Sequence, residues 1–299
     1  MYVATNTCIL AAEFDYVQPT TLEDVFSHLS QHGAQAQLIA GGTDLLVQMK
    51  MEQKSPAYLI SLSRVRELQG ITSSGGFTAG ATASIWSLAK SEEVRLHYTA
   101  LAEACEAFTS VPIMIMGTLG GNLCNASPAA KTAPPLLAFD ANLSLASRGG
   151  RRDVPLEDFF LGPGQTVLRE DEVLHSIQLA KPVPGTGSAF LKVGRVHADI
   201  AQVSAAVRLV LDGDQVIDCR IALGAVAPTP MRARRAEAFL TDRRFDSEGV
   251  EEVARIAAEE VKPIIDVRAT AEYRRRVSGV IVRDALTTAW QRAGGGKLK

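Results

Sequence analysis

Two glycine-rich segments contain the residues of this chain that are best suited to bind a ligand. The first, residues 38–45, reads L-I-A-G-G-T-D-L, and the second, residues 118–122, reads T-L-G-G-N. Glycine lets the backbone approach a ligand closely and adopt positive φ angles. Consecutive free N–H groups in such a turn form a concave site for an anion. Two such sites indicate one ligand with two phosphates, a dinucleotide.

The candidate binding residues of the two segments are Leu38, Ile39, Ala40, Gly41, Gly42, Thr43, Asp44, Leu45, Thr118, Leu119, Gly120, Gly121 and Asn122. Asp44 is suited either to contact a ribose or to cap the helix that follows, since Asp is a preferred N-cap residue. Gly120 and Gly121 are expected to be small so that the backbone can touch a pyrophosphate. Asn122 offers both a donor and an acceptor.

Neither segment matches the usual nucleotide fingerprints. No G-x-G-x-x-G opens a helix after a strand, and no G-x-x-x-x-G-K-[ST] loop occurs. An isolated Gly-Gly pair is typical of an ordinary turn. The occurrence of two pairs, each beside Thr and Asn or Asp, favours a ligand site over two unrelated turns.

The sequence around both segments resembles the FAD-binding subunits of molybdenum hydroxylases, a group that includes the medium subunits of carbon monoxide dehydrogenase and of xanthine dehydrogenase-like enzymes. The resemblance is in A-G-G-T-D-L-L and G-T-L-G-G-N-L-x-N-A-S-P-A, and it continues through residues 156–164, 190–195 and 221–230. These segments occur in the family's order and span nearly the whole chain.

The resemblance implies noncovalently bound FAD on this chain, with Ser127, Leu174 and Lys192 as further cofactor residues. It implies partners: a large subunit with the molybdenum cofactor and a small subunit with 2Fe–2S clusters, assembled as a dimer of heterotrimers. FAD would collect electrons from the clusters and pass them to an external acceptor, with no catalytic acid or base on this chain. The sequence identifies neither the substrate nor the acceptor.

One position departs from the family pattern. After the second segment the family reads P-A-x-D, and its acid belongs to the cofactor site, whereas this chain has Lys131 there. Lys131 is expected either to pair with the pyrophosphate or to point to solvent. If it pairs, Lys131→Asp is expected to lower the flavin potential, because a favourable charge near the reduced flavin is lost.

Several alternatives stay open. Lys192 also fits a solvated strand edge, and Leu174 fits an ordinary core position. Cys124 is expected to be a small buried residue rather than a redox group, because nothing in the sequence indicates a lowered thiol pKa. A self-sufficient flavin-dependent oxidase or dehydrogenase is one alternative function, and a scaffold that binds no cofactor is another.

Composition narrows the class of protein. The 299 residues are 46% hydrophobic and 21% charged with a formal net charge of −2, so no global basic field indicates nucleic acid. No apolar stretch approaches the roughly 20 residues that a membrane span needs, and a cytoplasmic location is expected. The four cysteines, Cys8, Cys105, Cys124 and Cys219, are scattered without a C-x-x-C motif, which argues against a disulfide framework or an iron–sulfur cluster.

The predicted fold class is α+β. The resemblance implies a two-lobed FAD-binding domain of the PCMH type over residues 1–181, with lobes at about 1–66 and 67–181. Periodicity and turn signals predict a C-terminal domain over residues 186–292, with a three-stranded antiparallel sheet and three helices, and a disordered tail over 293–299. A helix capped by Thr21 and a strand at 36–40 are expected to position the first glycine segment.

Overall fold

A computed structural model describes residues 10, 12–73, 75–108, 110–196 and 199–296. The helices are α1 (Leu22–His32), α2 (Leu45–Lys50), α3 (Ile85–Lys90), α4 (Glu92–His97), α5 (Thr99–Glu106), α6 (Val111–Met116), α7 (Leu119–Cys124), α8 (Ala133–Ala138), α9 (Arg234–Leu240), α10 (Ser247–Glu260) and α11 (Ala271–Arg292). The strands are β1 (Asp15–Val17), β2 (Ala36–Ile39), β3 (Tyr58–Ser61), β4 (Ile71–Thr72), β5 (Phe77–Gly80), β6 (Asn142–Ser147), β7 (Gly150–Pro155), β8 (Phe160–Gly162), β9 (Gln165–Thr166), β10 (Val173–Leu179), β11 (Thr186–Val193), β12 (Val203–Asp212), β13 (Gln215–Gly224), β14 (Met231–Arg232) and β15 (Arg243–Arg244).

The first sheet is small and parallel, with the order β1-β3-β2. Helix α1 covers it with Leu22, Val25 and Leu29, which recur at helical spacing on one face and are buried. The hydroxyl of Thr21 accepts a hydrogen bond from the N–H of Asp24 at 3.2 Å, which confirms the predicted cap. Strand β2 ends at Ile39, so the chain leaves the sheet directly into the first glycine segment.

The second sheet is antiparallel, with the order β4-β5-β10-β6-β7. Helices α3, α5, α7 and α8 contribute to the core beside it, where Phe77, Tyr98 and Phe139 are in ring contact. The predicted strands at 143–146 and 173–179 are confirmed as β6 and β10. The short pair β8 and β9 was not predicted, because strands of two or three residues carry no alternating pattern.

The third sheet forms the C-terminal part of the chain. Its three long antiparallel strands β11, β12 and β13 confirm the predicted sheet, and the two-residue strands β14 and β15 extend it along β13. Helices α10 and α11 pack on it, and the rings of Phe245 and Trp290 stack with centroids 4.3 Å apart.

The chain ends against this core for as far as it is described. The indole nitrogen of Trp290 donates to the carbonyl of Gly296 at 2.9 Å, so residues 294–296 lie against α11. Residues 297–299 lie outside the described residues, so disorder of the tail stays a prediction for them. Cys8, near the other end of the chain, also lies outside the described residues. No helix in the described ranges is long and apolar enough to cross a membrane.

Candidate functional site

A cavity of about 680 Å³ brings the two glycine segments together. It is lined by all the predicted site residues except Leu119 and Lys192, namely Leu38, Ile39, Ala40, Gly41, Gly42, Thr43, Asp44, Leu45, Thr118, Gly120, Gly121, Asn122, Ser127, Lys131 and Leu174. Leu119 does not line it because its side chain is fully buried in the core beside the second sheet. The volume falls within the range of ligand pockets.

The first glycine segment offers free backbone donors to this cavity. Among the residues that the structure describes, the N–H groups of residues 40–44 donate to no acceptor. Gly42 has a φ of +70°, the left-handed conformation that favours glycine. Asp44 precedes α2, but its carboxylate accepts no capping hydrogen bond from that helix. Asp44 occupies the N-cap position without a side-chain cap, contact with a ribose stays a prediction, and partial burial raises the pKa of its carboxyl.

The second glycine segment is the first turn of helix α7, and the expected nest of free N–H groups is absent there. Leu119 and Gly120 donate to the carbonyls of Ala83 and Ala81 at 2.9 and 2.8 Å. The N–H of Gly121 donates to the hydroxyl of Thr118 at 3.0 Å, and the N–H of Asn122 donates to the Thr118 carbonyl. The prediction was wrong because capping and a contact with residues 81–83 satisfy these donors.

A side chain is excluded for different reasons at the different glycines of the two segments. A Cβ on Gly41 would lie 1.7 Å from the carbonyl oxygen of Met116, and a Cβ on Gly120 would lie 2.7 Å from the carbonyl of Ala81. Both residues therefore permit close packing of the protein on itself rather than approach of a ligand. A Cβ on Gly121 would meet only the hydroxyl of Thr118, at 2.7 Å. Gly121 has helical, not positive, φ.

Asn122 is held by its neighbour Thr132. The Oδ1 atom of Asn122 accepts from the Thr132 hydroxyl at 2.7 Å and from the Thr132 N–H at 3.4 Å. Because a backbone N–H can only donate, the contacting atom is the amide oxygen. The amide nitrogen of Asn122 is therefore the group available to a ligand in the cavity. The hydroxyl of Ser127 accepts from the N–H of Ala129 at 3.2 Å, which orders the chain before Lys131.

Lys131 lies inside the cavity wall, so the expectation that it points to solvent is wrong. Its side chain is only 7% exposed, and its Nζ lies 4.9 Å from the ring centroid of Phe108. Burial, assisted by the charge of Lys192, lowers the pKa of Lys131 to about 8. Lys192 does not line the cavity. Its Nζ donates to the carbonyl of Asp199 at 3.0 Å, and burial lowers the pKa of Lys192 too.

A profile of the FAD binding domain in molybdopterin dehydrogenase matches residues 12–182, and one of the CO dehydrogenase flavoprotein C-terminal domain matches residues 188–289. The chain belongs to the family that these two profiles describe, the FAD-binding subunits of molybdenum hydroxylases. The carbon monoxide dehydrogenase medium chain of Hydrogenophaga pseudoflava is 33% identical over 285 residues, covering 95% of this chain and 99% of that one. The xanthine dehydrogenase FAD-binding subunit of Escherichia coli O157:H7 is 30% identical, covering 94% and 97%.

Solved structures show the same likeness of fold. Carbon monoxide dehydrogenase from Hydrogenophaga pseudoflava matches with a TM-score of 0.92 at 34% identity, over 95% of this chain and 99% of that chain. Quinoline 2-oxidoreductase from Pseudomonas putida 86 matches with a TM-score of 0.88 at 29% identity, over 94% and 98%. The α+β fold, with an FAD-binding domain and a C-terminal antiparallel sheet, is therefore that of the family.

The far wall of the FAD-binding domain's cavity was only partly predicted. Leu174 lies there on β10, nearly fully buried, as the resemblance implied. Glu172 precedes it and is held by Arg152 through Nε–Oε1 and Nη2–Oε2 contacts of 2.6 and 2.8 Å. Phe108 also lines the cavity. No motif in the sequence indicated Glu172 or Phe108. The sequence pattern around each residue indicates only which neighbours are buried, and the tertiary structure brings both residues to the site.

The cavity suits FAD in chemistry as well as position. The free N–H groups of the first segment are anion donors, and the amide nitrogen of Asn122 is a second fixed donor. Apolar side chains such as Leu174 and Phe108 supply surface for a flat ring system. Cys124 also lines the cavity and is partly rather than fully buried, and burial raises the pKa of its thiol to about 12.

Proposed function

We propose that this chain is the FAD-binding electron-transfer subunit of a multi-subunit molybdenum-containing hydroxylase or dehydrogenase. The observation that carries the proposal is the single cavity that joins both glycine segments, in a chain that matches FAD subunits of such enzymes along nearly its whole length. The chain is thus an oxidoreductase subunit. Partners carry the molybdenum cofactor and the 2Fe–2S clusters.

The residues of this chain bind and orient the cofactor. We propose that the N–H groups of residues 40–44 hold the pyrophosphate and that Asp44 accepts from a ribose hydroxyl. Asn122 donates through its amide nitrogen, since Thr132 holds the amide oxygen. Leu174 excludes water from the ring. When bound, FAD would supply the electron-transfer chemistry between the partner's clusters and an external acceptor, while the residues of this chain hold it in place.

Ser127 and Lys192 are expected to act on the cofactor site indirectly. The hydroxyl of Ser127 orders the backbone that leads to Lys131, although the residue also lines the cavity. Lys192 acts on the cavity through the charge that it presents to Lys131. We propose that both residues shape the cofactor site, and that Leu119 supports it from the core.

The self-sufficient flavin oxidase is disfavoured, because the relatives with known assemblies are single subunits of larger dehydrogenases. The decisive experiment is isolation of the native complex. We expect a yellow protein that releases intact FAD on denaturation and co-purifies with molybdenum and with iron and sulfide. Full activity toward an organic substrate in a metal-free preparation of this chain alone would contradict the proposal.

We further propose a dimer of heterotrimers, with this chain as the medium subunit between a large and a small partner. Sedimentation analysis together with subunit mass spectrometry measures the stoichiometry directly. A complex with one copy of each subunit would contradict the dimeric arrangement and leave the electron-transfer role intact. The cytoplasmic location stays a prediction.

A further inference from the structure

Lys131 is a buried lysine in the wall of the cavity, and no described residue places a counter-charge on it. More than nine-tenths of the residue is buried. Within the described ranges of the chain, no carboxylate forms an ion pair with its ammonium, whose contact is with the ring of Phe108. An unpaired buried charge is unfavourable unless a partner compensates it. A ligand that brings a negative charge would supply that compensation.

The charged groups around the cavity do not supply this compensation. Glu170 lines the cavity but forms no ion pair with Lys131 among the described residues, and Arg169 and Lys54 carry charge of the same sign as Lys131. Lys192, from β11, presents a charge of the same sign. Glu172 is engaged by Arg152 and by the N–H of Arg169. Asp44 lies at the start of α2 and forms no ion pair with Lys131. The thiol of Cys124 is neutral at physiological pH, because burial raises its pKa.

The α7 side of the cavity also lacks the backbone donors that the first segment has. The N–H groups of residues 119–122 are all used within the protein. Positive charge on this side must therefore come from a side chain. Lys131 is adjacent in sequence to Thr132, which holds Asn122 of α7, so it is placed on this side.

We propose that Lys131 is the anion-binding group on the α7 side of the cavity, and that it takes up a proton when an anionic part of the bound flavin dinucleotide reaches it. This inference rests on the proposed function. The anion is either a phosphate oxygen of FAD or the flavin ring, which gains negative charge on reduction. Lys131 is thus a binding residue whose charge depends on the ligand.

The sign of the effect follows from the two states. With the protein's own groups alone, burial and Lys192 lower the pKa of Lys131 to about 8. A bound anion favours the charged form and raises that pKa. Near pH 8, binding therefore draws a fraction of a proton from solvent, and affinity falls as the pH rises further. A one-unit rise in pKa on binding corresponds to about a tenfold affinity difference between the charged and neutral forms.

The test is calorimetric titration of FAD into the flavin-stripped full-length chain at pH 8, in two buffers of different ionisation enthalpy. We expect fractional proton uptake in the wild type and none in Lys131→Gln. Lys131→Arg keeps a charge that does not titrate, so it is expected to bind FAD tightly without proton uptake. Lys262→Gln removes an exposed lysine that does not line the cavity and is expected to match the wild type.

The pH dependence is an independent readout. Between pH 7 and 9.5, we expect the wild-type Kd for FAD to rise by up to about tenfold, while Lys131→Gln and Lys131→Arg show no such rise. If Lys131→Gln does not fold, the comparison of wild type with Lys131→Arg still decides, because only the wild type is expected to titrate.

Two further ligands locate the anion. Proton uptake on binding of ADP, in excess of that in Lys131→Gln, assigns the anion to the phosphates, whereas excess uptake seen only on binding of FAD that was reduced beforehand assigns it to the ring. Proton uptake that is the same in wild type and Lys131→Gln in every arm, although FAD binds, would overturn this inference alone. Failure of the wild type to bind FAD in either redox state would overturn the proposed function as well.

Discussion

Individual glycines in the two segments either allow close packing of the backbone or line the cavity, and the atoms nearest to each glycine show which role it has. Gly41 faces the backbone of residues 116–117, which joins the first segment to the second. Gly121 faces only the Thr118 hydroxyl and lines the cavity. Substitutions at these two positions are therefore expected to separate the stability of the protein from its affinity for FAD.

Gly121→Val is expected to lose FAD while the C-terminal sheet stays folded. The branched side chain would displace the Thr118 hydroxyl, which caps α7, and would occupy part of the cavity. Loss of an N-cap costs roughly 0.5–2 kcal/mol, so the melting temperature is expected to fall modestly. Flavin absorbance per protein and far-UV circular dichroism measure the two effects. Gly149→Val, at an exposed hairpin where the nearest atom is 3.7 Å away, is the control. Wild-type flavin content in Gly121→Val would place this residue outside the site.

Gly41→Ala is expected to destabilise the protein even without cofactor. The added Cβ would lie 1.7 Å from a backbone carbonyl, which cannot rotate away as a flexible side chain can. Overpacking typically costs about 1–3 kcal/mol. Chemical denaturation of the flavin-free protein measures this cost, and Gly149→Ala is expected to leave stability unchanged. An unchanged denaturation midpoint for Gly41→Ala would show that the two segments do not pack as described.

At the scale of elements, the approach to β10 depends on one buried carboxylate. Glu172 accepts from Arg152 on β7 and from the N–H of Arg169 at 2.9 Å. Arg152 also donates to the carbonyl of Val167 at 2.9 Å. This network ties the chain before β10 to the neighbouring hairpin and thereby places Leu174 in the cavity wall.

Glu172→Gln is expected to lower stability at neutral pH by about 1–2 kcal/mol, the value for hydrogen bonds to a charged group reduced for the partial exposure of Arg152. The hydrogen bond from Arg152 lowers the pKa of Glu172. A carboxyl with a lowered pKa stabilises the fold above its unfolded-state pKa and loses that effect as the pH falls through its folded-state pKa. The difference from wild type is therefore expected to be full at pH 7 and to shrink below about pH 4. Denaturation at several pH values measures it.

Glu170→Gln provides the matched control, because Glu170 is an exposed glutamate two residues away. It is expected to behave as wild type at every pH. A difference between wild type and Glu172→Gln that does not vary with pH would instead indicate a packing effect of the amide.

At the scale of the whole molecule, two acidic residues join the FAD-binding domain to the C-terminal domain. Glu103 on α5 accepts from the N–H of Phe190 on β11 at 2.7 Å and forms an ion pair with Arg292 of α11. Asp140, after α8, forms ion pairs with arginines of the third sheet, namely Arg208, Arg220 and Arg232. The two domains are thereby coupled by charge as well as by apolar contact.

Glu103→Ala is expected to weaken this coupling. The partly buried N–H of Phe190 would lose its acceptor, which costs about 1–3 kcal/mol when no water replaces it. In scanning calorimetry we expect a lower melting temperature and a broader transition, as the domains unfold less cooperatively. Glu106→Ala, on the exposed side of the same helix, is the control and is expected to leave the transition unchanged. A sharp wild-type transition in Glu103→Ala would show that Asp140 and apolar packing suffice.

The sequence by itself determined the family, the long elements and the two glycine segments that line the cavity. These features depend on residues that are close in sequence. Thr21 caps a helix by accepting a hydrogen bond from Asp24, and alternation in residues 203–224 indicates which side chains share a face of the sheet. Only the tertiary structure decided which glycine segment keeps free donors. The N–H groups at 119–120 are consumed by the carbonyls of residues 81 and 83, nearly forty positions away. It also decided the burial of Lys131 beside Phe108. Such pairings depend on how separate elements pack, which no local pattern encodes.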